Sequence, residues 1–422
     1  MRVDIDGGRL LRRLEDLAEV GAITGGRGER GSARLALTDA DRDGRDLVVG
    51  WMRDLGLDVT VDVIGNVIAV MGPNCGHHSG RAPVLCGSHI DTVATGGRFD
   101  GNLGVLAGLE VIETVLSAGL ELERPLGVAF FTDEEGARFA PDMLGSLVFA
   151  GGLTVEEAHD IRAADPGGPG PTVREELDRI GYLGPAPCPG AAPHAFVELH
   201  VEQGPVLERE SERIGAVTGV QGISWTRVTL TGQSNHAGTT PMSMRRDPAA
   251  AMARIAVFVN DLAEEFGAPQ VATVGRVEVH PNLVNVVPSR VTFTVDLRNT
   301  DDEVLRRAEA ALAAELGRVA DRHGVEVETE ELARFAPVIF DEGVVDLVES
   351  AALERGLAVR RMPSGAGHDA QMLARMCPSG MVFVPSIGGI SHNPAELTSD
   401  DDLVVGCQVL CDVMLDLVEG DS

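Results

Sequence analysis

Five segments of this chain carry residue types that bind metal, each set among glycines or turn formers. They are Gly87-Ser88-His89-Ile90-Asp91-Thr92, Gly97-Arg98-Phe99-Asp100-Gly101, Thr132-Asp133-Glu134-Glu135-Gly136, Glu198-Leu199-His200-Val201-Glu202-Gln203-Gly204-Pro205 and Gly389-Ile390-Ser391-His392-Asn393-Pro394. A single His or Asp in a glycine-rich loop is more often structural than a ligand. Together, however, the segments offer three imidazoles with Asp and Glu carboxylates. That is more than one tetrahedral zinc takes, and it suits two divalent cations sharing a carboxylate. Four of the segments follow an apolar, strand-like run, and the Asp100 loop lies between such a run and a helical pattern. Loops leaving strand ends are where an α/β fold places its chemistry.

Composition excludes other chemistries. All 35 basic residues are Arg and none is Lys. A phosphate-loop Lys, a Schiff base, covalent pyridoxal phosphate and a carboxylated Lys between two metals are therefore ruled out. A net charge of −30 repels nucleic acid and anionic membranes and fits the surface of a soluble acidic enzyme. No apolar run approaches the ~18–20 residues that cross a membrane. Residues 1–6 lack the basic-then-apolar pattern of a signal peptide. The expectation is a cytoplasmic protein with neither nucleic acid nor membrane as partner. Cys75, Cys86, Cys188, Cys377, Cys407 and Cys411 include no Cys-x-x-Cys pair and read as reduced, mostly buried thiols. His77 and His78, adjacent in a Gly/Pro loop, read as surface histidines.

These loops need elements to position them. Residues 8–19 and 39–56 have the periodicity of amphipathic helices, and 58–63 and 66–71 read as paired strands joined through Gly65-Asn66. A short buried strand ends at His89, residues 126–131 form a strand delivering Glu134 and Glu135, and 195–201 form one delivering His200. Between the first two, 103–116 is a helix rich in small residues. Residues 164–194, full of Pro and Gly, are expected to wander over the surface around one short helix at 171–181. Strands separated by helices predict a mixed α/β sheet. After 218 the pattern changes to a strand at 225–230, a helix at 247–266 opened by Asp-Pro, strands at 271–279 and 291–297, and a helix at 305–322. This is the ferredoxin-like order. It places an α+β domain at 219–333, inserted into a discontinuous α/β domain of 1–218 and 334–422 that carries all the metal-type segments.

The segments also carry a resemblance. Joined in order by Asn235-His236-Ala237-Gly238-Thr239-Thr240-Pro241 and Ser364-Gly365-Ala366-Gly367-His368-Asp369-Ala370, they resemble the M20-type metal-dependent amidohydrolases. Specifically, they resemble the branch containing N-carbamoyl-L-amino acid hydrolase, allantoate amidohydrolase and β-ureidopropionase. The resemblance implies a mixed-sheet dinuclear-metal hydrolase domain with an inserted lid and dimerisation domain, working as a homodimer. It implies two divalent cations per chain, held by His89, Asp100, Glu135, His200 and His392. Asp100 bridges them, and His89 and His392 serve different cations. Zinc, manganese, cobalt and nickel all accept such ligands. Glu134 is implied as the general base, and Asp91 as the carboxylate that orients His89. His236 is implied as an oxyanion donor, reaching the other subunit's site in relatives. Gln203, Asn285, Arg298 and Gly367 are implied in substrate binding. For Arg298 the plain alternative is an ordinary surface arginine, although a planar guanidinium is the best partner for a carboxylate held at two points. The implied reaction is hydrolysis of the ureido C–N bond of an N-carbamoyl-L-amino acid or related ureido acid, releasing ammonia and carbon dioxide. Allantoate and N-carbamoyl-β-alanine remain open as substrates, and a peptidase or aminoacylase on the same core is a more distant alternative.

Overall fold

The computed structural model describes residues 2–72, 80–164 and 170–419; Cys75, His77 and His78 lie outside them. The chain divides into two compact units, Met1–Thr218 with Ile339–Ser422, and Gly219–Val338. The first is mixed α/β and the second α+β.

The centre of the first unit is a run of buried parallel strands. Ser379–Val384, Ala195–Val201, Val84–His89 and Leu126–Phe131 lie side by side in that order and point the same way. Every residue in them is buried, as expected of parallel strands covered on both faces. Antiparallel strands widen the sheet, Ile214–Val220 on one side and Val67–Val70 followed by Asp58–Val61 on the other. The last two are shorter than the runs expected at 58–63 and 66–71. The Asp62 carboxylate turns the chain between them, accepting the amides of Ile64 and Asn66, both at 2.9 Å. Helix Asn102–Ala118 packs across the parallel strands, with helices Gly7–Ala18 and Asp400–Glu419 against it.

Short helices occupy several positions where no element was expected, among them Leu144–Phe149 and Val155–Asp160. The first is too short and too evenly apolar to show a helical period. The second did carry a signal: Thr154 and Glu157 form a capping box. Within the expected surface wander, Val173–Ile180 is a helix opened by the same device, with Thr172 and Glu175.

A buried ion pair within helix Asp39–Asp54 anchors that helix to the Gly65 turn beside the sheet. Arg45 is fully buried; its Nε donates to Asp41 Oδ2 at 2.8 Å and its Nη1 to the Gly65 carbonyl at 2.7 Å.

In the second unit the elements run Gly222–Thr231, Pro248–Phe266, Val271–His280, Arg290–Asn299, Asp302–His323 and Glu326–Phe335. The strands form an antiparallel sheet in the order Val271–His280, Arg290–Asn299, Gly222–Thr231, Glu326–Phe335, which is the ferredoxin-like arrangement. Val228, Leu230, Phe293 and Val295 from the sheet meet Ile255, Val259, Leu312 and Leu316 from the helices in one core. The last strand runs past the expected end at 333, because Arg334 and Phe335 still pair with Ser224 and Ile223.

Candidate metal centre and active site

All the parallel strands end at one edge of the sheet, and the metal-type segments follow from those ends. His89 closes its strand level with Phe131, after which the chain turns through Thr132–Glu135. His200 sits next to last in its strand, level with Phe383, and His392 follows eight residues after Val384, where that neighbouring strand ends. Asp100 arrives on the loop that opens helix Asn102–Ala118.

The side chains converge on Asp100. Its Oδ1 lies 3.5 Å from His89 Nε2 and 3.2 Å from His200 Nε2. Its Oδ2 lies 3.6 Å from His392 Nε2, which is in turn 3.3 Å from Glu135 Oε2. Two donor sets result, His89/Asp100/His200 and Asp100/Glu135/His392, each with its ligand atoms within 4.8 Å of one another. They share Asp100, which turns Oδ1 toward His89 and His200 and Oδ2 toward His392, an arrangement that suits a carboxylate between two cations. The tautomers fit. His89 Nδ1 lies 2.9 Å from the Asp91 carbonyl and His200 Nδ1 lies 2.9 Å from the Val201 carbonyl. Each Nδ1 therefore carries the proton, and each Nε2 turns its lone pair inward. Three nitrogen and carboxylate donors per set suit zinc or a neighbouring transition-metal cation. Site electrostatics point the same way. Burial pushes the Glu134 carboxyl well above the usual range, with His89 opposing and Asp369, Glu135 and Asp100 adding to the push. Burial likewise raises Glu135, with Asp100 reinforcing it. Crowded buried acids of this kind are stabilised by bound cations.

Glu134 lies beside these sets without belonging to either, 8% exposed, with Oε2 3.4 Å from His89 Nε2. Asp91 acts differently from the expectation. Its carbonyl, not its carboxylate, holds the His89 ring, while the carboxylate accepts the amides of Glu134 and Glu135 at 3.3 and 3.4 Å. The chain has left the strand by Asp91, so the main chain meets the ring and the side chain reaches the neighbouring turn. Asp91 thus holds the general-base candidate in place.

Gln203 Nε2 donates to Asp100 Oδ2 at 2.9 Å, and its buried Oε1 has no hydrogen-bond partner among the described residues. Asp133, Gln203 and His392 all take left-handed φ angles, at 56°, 59° and 52°. Backbone strain of this kind concentrates at functional sites. Gly367 precedes His368, whose ring packs against His200 at a centroid distance of 4.7 Å. His368 Nε2 pairs with Ser364 Oγ at 2.8 Å, a structural contact.

In the second unit, His236 and Asn285 come together on a two-stranded ribbon, Asn235–His236 against Val286–Val287, with the Ala237 amide donating to the Asn285 carbonyl at 2.9 Å. His236 Nδ1 accepts the amides of Gly238 and Thr239 at 3.0 and 3.2 Å, which leaves Nε2 as the proton donor. Arg298 spans the Asp296 carboxylate, with Nη2 2.9 Å from Oδ2.

Several residues of the site were given no role by the sequence. Ser88 donates to Glu198 Oε1 at 2.6 Å, and Ala370 N donates to Glu198 Oε2 at 2.8 Å, securing the strand of His200. Arg34 is fully buried and donates to the Ile90 carbonyl and to Asn102 Oδ1, both at 2.7 Å. It thereby holds the His89 and Asp100 loops together. Burial without a carboxylate in contact lowers its pKa to about 10.

Residues 85–416 match the model of peptidase family M20/M25/M40. The chain belongs to that family. Among curated relatives of this M20-family chain, an N-carbamoyl-L-amino acid amidohydrolase of Geobacillus stearothermophilus is 42% identical over 99% of the chain and 100% of that protein. An allantoate amidohydrolase of Bacillus subtilis is 35% identical over 96% of each. Among solved structures, an amidase of the hydantoinase/carbamoylase family from Burkholderia multivorans superposes with a TM-score of 0.94 at 45% identity, covering 100% of both chains. In this M20-family chain, no helix of the described residues is long and apolar enough to cross a membrane.

Proposed function

We propose that this enzyme hydrolyses the ureido C–N bond of an N-carbamoyl-L-amino acid or a closely related ureido acid. The observation that carries the reading is Asp100 presenting one oxygen to His89 and His200 and the other toward His392, with Glu134 uncoordinated beside them. The nature of the substrate rests on the similarity to amidohydrolases that act on such compounds.

In this reading His89, Asp100 and His200 hold one divalent cation, and Asp100, Glu135 and His392 a second. When bound, such a pair supplies Lewis acidity, lowering the pKa of a water and polarising the substrate carbonyl. Glu134 takes a proton from the attacking water and passes it to the departing nitrogen, which leaves as ammonia. The N-carboxylated amine left behind loses carbon dioxide. Asp91 aims the peptide that carries Glu134. His236, whose Nε2 is the donor, stabilises the oxyanion from its own chain or from a partner subunit, a contribution of ~3–4 kcal/mol for such donors. Arg298 and Asn285 grip the substrate carboxylate, which competes with Asp296 for the guanidinium. Gln203 and the Gly367 backbone line the substrate pocket. A homodimer formed through residues 219–338 completes the reading. The exposed Val271, Val277 and Val284 of that unit support it, and light scattering tests it.

Ammonia release from metal-reconstituted enzyme decides the substrate. The panel sets N-carbamoyl-L-α-amino acids against N-carbamoyl-β-alanine, allantoate and a dipeptide. Turnover of the first group is the expected result. Preference for allantoate would move the assignment to the branch represented by the Bacillus subtilis relative, and cleavage of only the dipeptide would overturn ureido chemistry.

A further inference from the structure

We propose that Glu396 is a positioning residue that locks the bridging Asp100 to the turn carrying His392, and so sets the affinity for the cation held by Asp100, Glu135 and His392. The inference rests on the two-cation reading above and deepens it.

The argument is geometric. Glu396 is 2% exposed, and its Oε1 accepts two successive amides, Phe99 N at 3.0 Å and Asp100 N at 3.2 Å. The second is the amide of the bridging ligand itself. The Ser391 hydroxyl, next to His392 in the chain, stands between two acids, 3.2 Å from Asp100 Oδ2 and 3.5 Å from Glu396 Oε2. Glu396 also closes the turn after His392, its amide donating to the Asn393 carbonyl at 2.9 Å. One side chain thus clamps loops that lie almost 300 residues apart in sequence. Room for it depends on Gly97, where a Cβ would sit 2.1 Å from the Glu396 carboxyl group.

The clamp acts unequally on the two donor sets. His89 and His200 are fixed by their own strands and by the carbonyls behind their rings. His392 sits on a half-exposed turn with its side chain 52% accessible; outside that turn its ring meets, among the described residues, only groups of the site itself at 3.3–3.6 Å, Glu135 Oε2, Gln203 Nε2 and Asp100 Oδ2. Removing the Glu396 carboxyl should therefore release two of the three ligands of one set while leaving two of the three in the other anchored. Loss of a partner that orients metal ligands typically weakens metal affinity by ~10–100-fold.

The test titrates Co(II) into cation-free, full-length enzyme against a competing chelator, reading stoichiometry and both binding constants from the visible spectrum. Wild type should bind two Co(II). Glu396→Ala should weaken one binding step by ~10–100-fold and the other by only a few-fold. Glu396→Gln, which keeps an oxygen for the two amides, should restore both steps to near wild type. Unchanged binding in Glu396→Ala overturns the proposal. So does equal weakening of both steps with a lowered melting temperature in the cation-free protein, because that pattern marks a purely structural role. So does failure of Glu396→Gln to rescue. Wild type binding fewer than two Co(II) would instead remove the two-cation reading on which the inference stands.

Discussion

At Gly101 a single added methyl group should disturb a metal-ligand ring directly. A Cβ built there would lie 2.4 Å from His89 Cε1 and Nε2 and 2.5 Å from Nδ1. Non-bonded carbons settle at about 3.5–4.0 Å, so Gly101→Ala requires the imidazole or the loop to retreat by roughly 1 Å. The ring has no slack, because His89 is 1% exposed and its Nδ1 is pinned to the Asp91 carbonyl at 2.9 Å. The backbone objects as well. Gly101 has φ 67° and ψ −48°, a conformation that costs a residue with a side chain on the order of 1–3 kcal/mol. A 1 Å error at a reacting centre costs ~10²-fold in rate, and a displaced ligand should lose ~10–100-fold in metal affinity. Cobalt titration against a chelator, ammonia release at saturating cation and thermal melting of the cation-free variant separate these effects. Gly101→Ala with wild-type cation affinity and turnover would show that His89 is not held where the structure places it, and the metal assignment built on that ring would go with it.

Glu134→Gln should retain two cations per chain by elemental analysis yet lose ~10²–10⁴-fold in turnover; normal activity would remove Glu134 as the base. Arg298→Ala should raise KM for carboxylate substrates by ~10–100-fold, in line with ~1.5–3 kcal/mol for a charged hydrogen bond, and leave kcat within a few-fold. An unchanged KM in steady-state assays would end the carboxylate-grip reading. Arg45→Ala strands the buried Asp41 carboxylate, whose Oδ2 accepts from Arg45 Nε at 2.8 Å, and should cost ~3–5 kcal/mol in urea unfolding. A loss below about 1 kcal/mol would mean that water reaches that pair, as at an exposed ion pair.

What could be read from sequence follows from how each residue announces itself. His89, Glu135 and His200 were legible because each ends or follows an apolar run, and the register that gathers them is a property of parallel strands. The ferredoxin-like unit was legible because its helices keep a 3.6-residue period over a long span and its strands alternate. Glu396 was silent because Asn393-Pro394-Ala395-Glu396 looks like any polar loop, and burial of its carboxylate depends on a loop almost 300 residues away. Arg34 was silent for the same reason; nothing local says that its guanidinium is enclosed. For Asp91 the expectation named the carboxylate as partner of the His89 ring and the structure puts the carbonyl there, since spacing alone does not say which of the two will face a ring. Leu144–Phe149 was missed because six apolar or small residues carry no period.

The strand Ser379–Val384 lies between Ala195–Val201 and Ile214–Val220, in the interior of the large sheet, although it is among the last strands to be made. On the ribosome, then, the nascent chain emerges with an open slot in its central sheet, and neighbouring strands must wait with unpaired edges for a filler made after the inserted domain. Such edges are prone to stray pairing. Translation that stops after the inserted domain would therefore yield an aggregation-prone fragment rather than a weak enzyme.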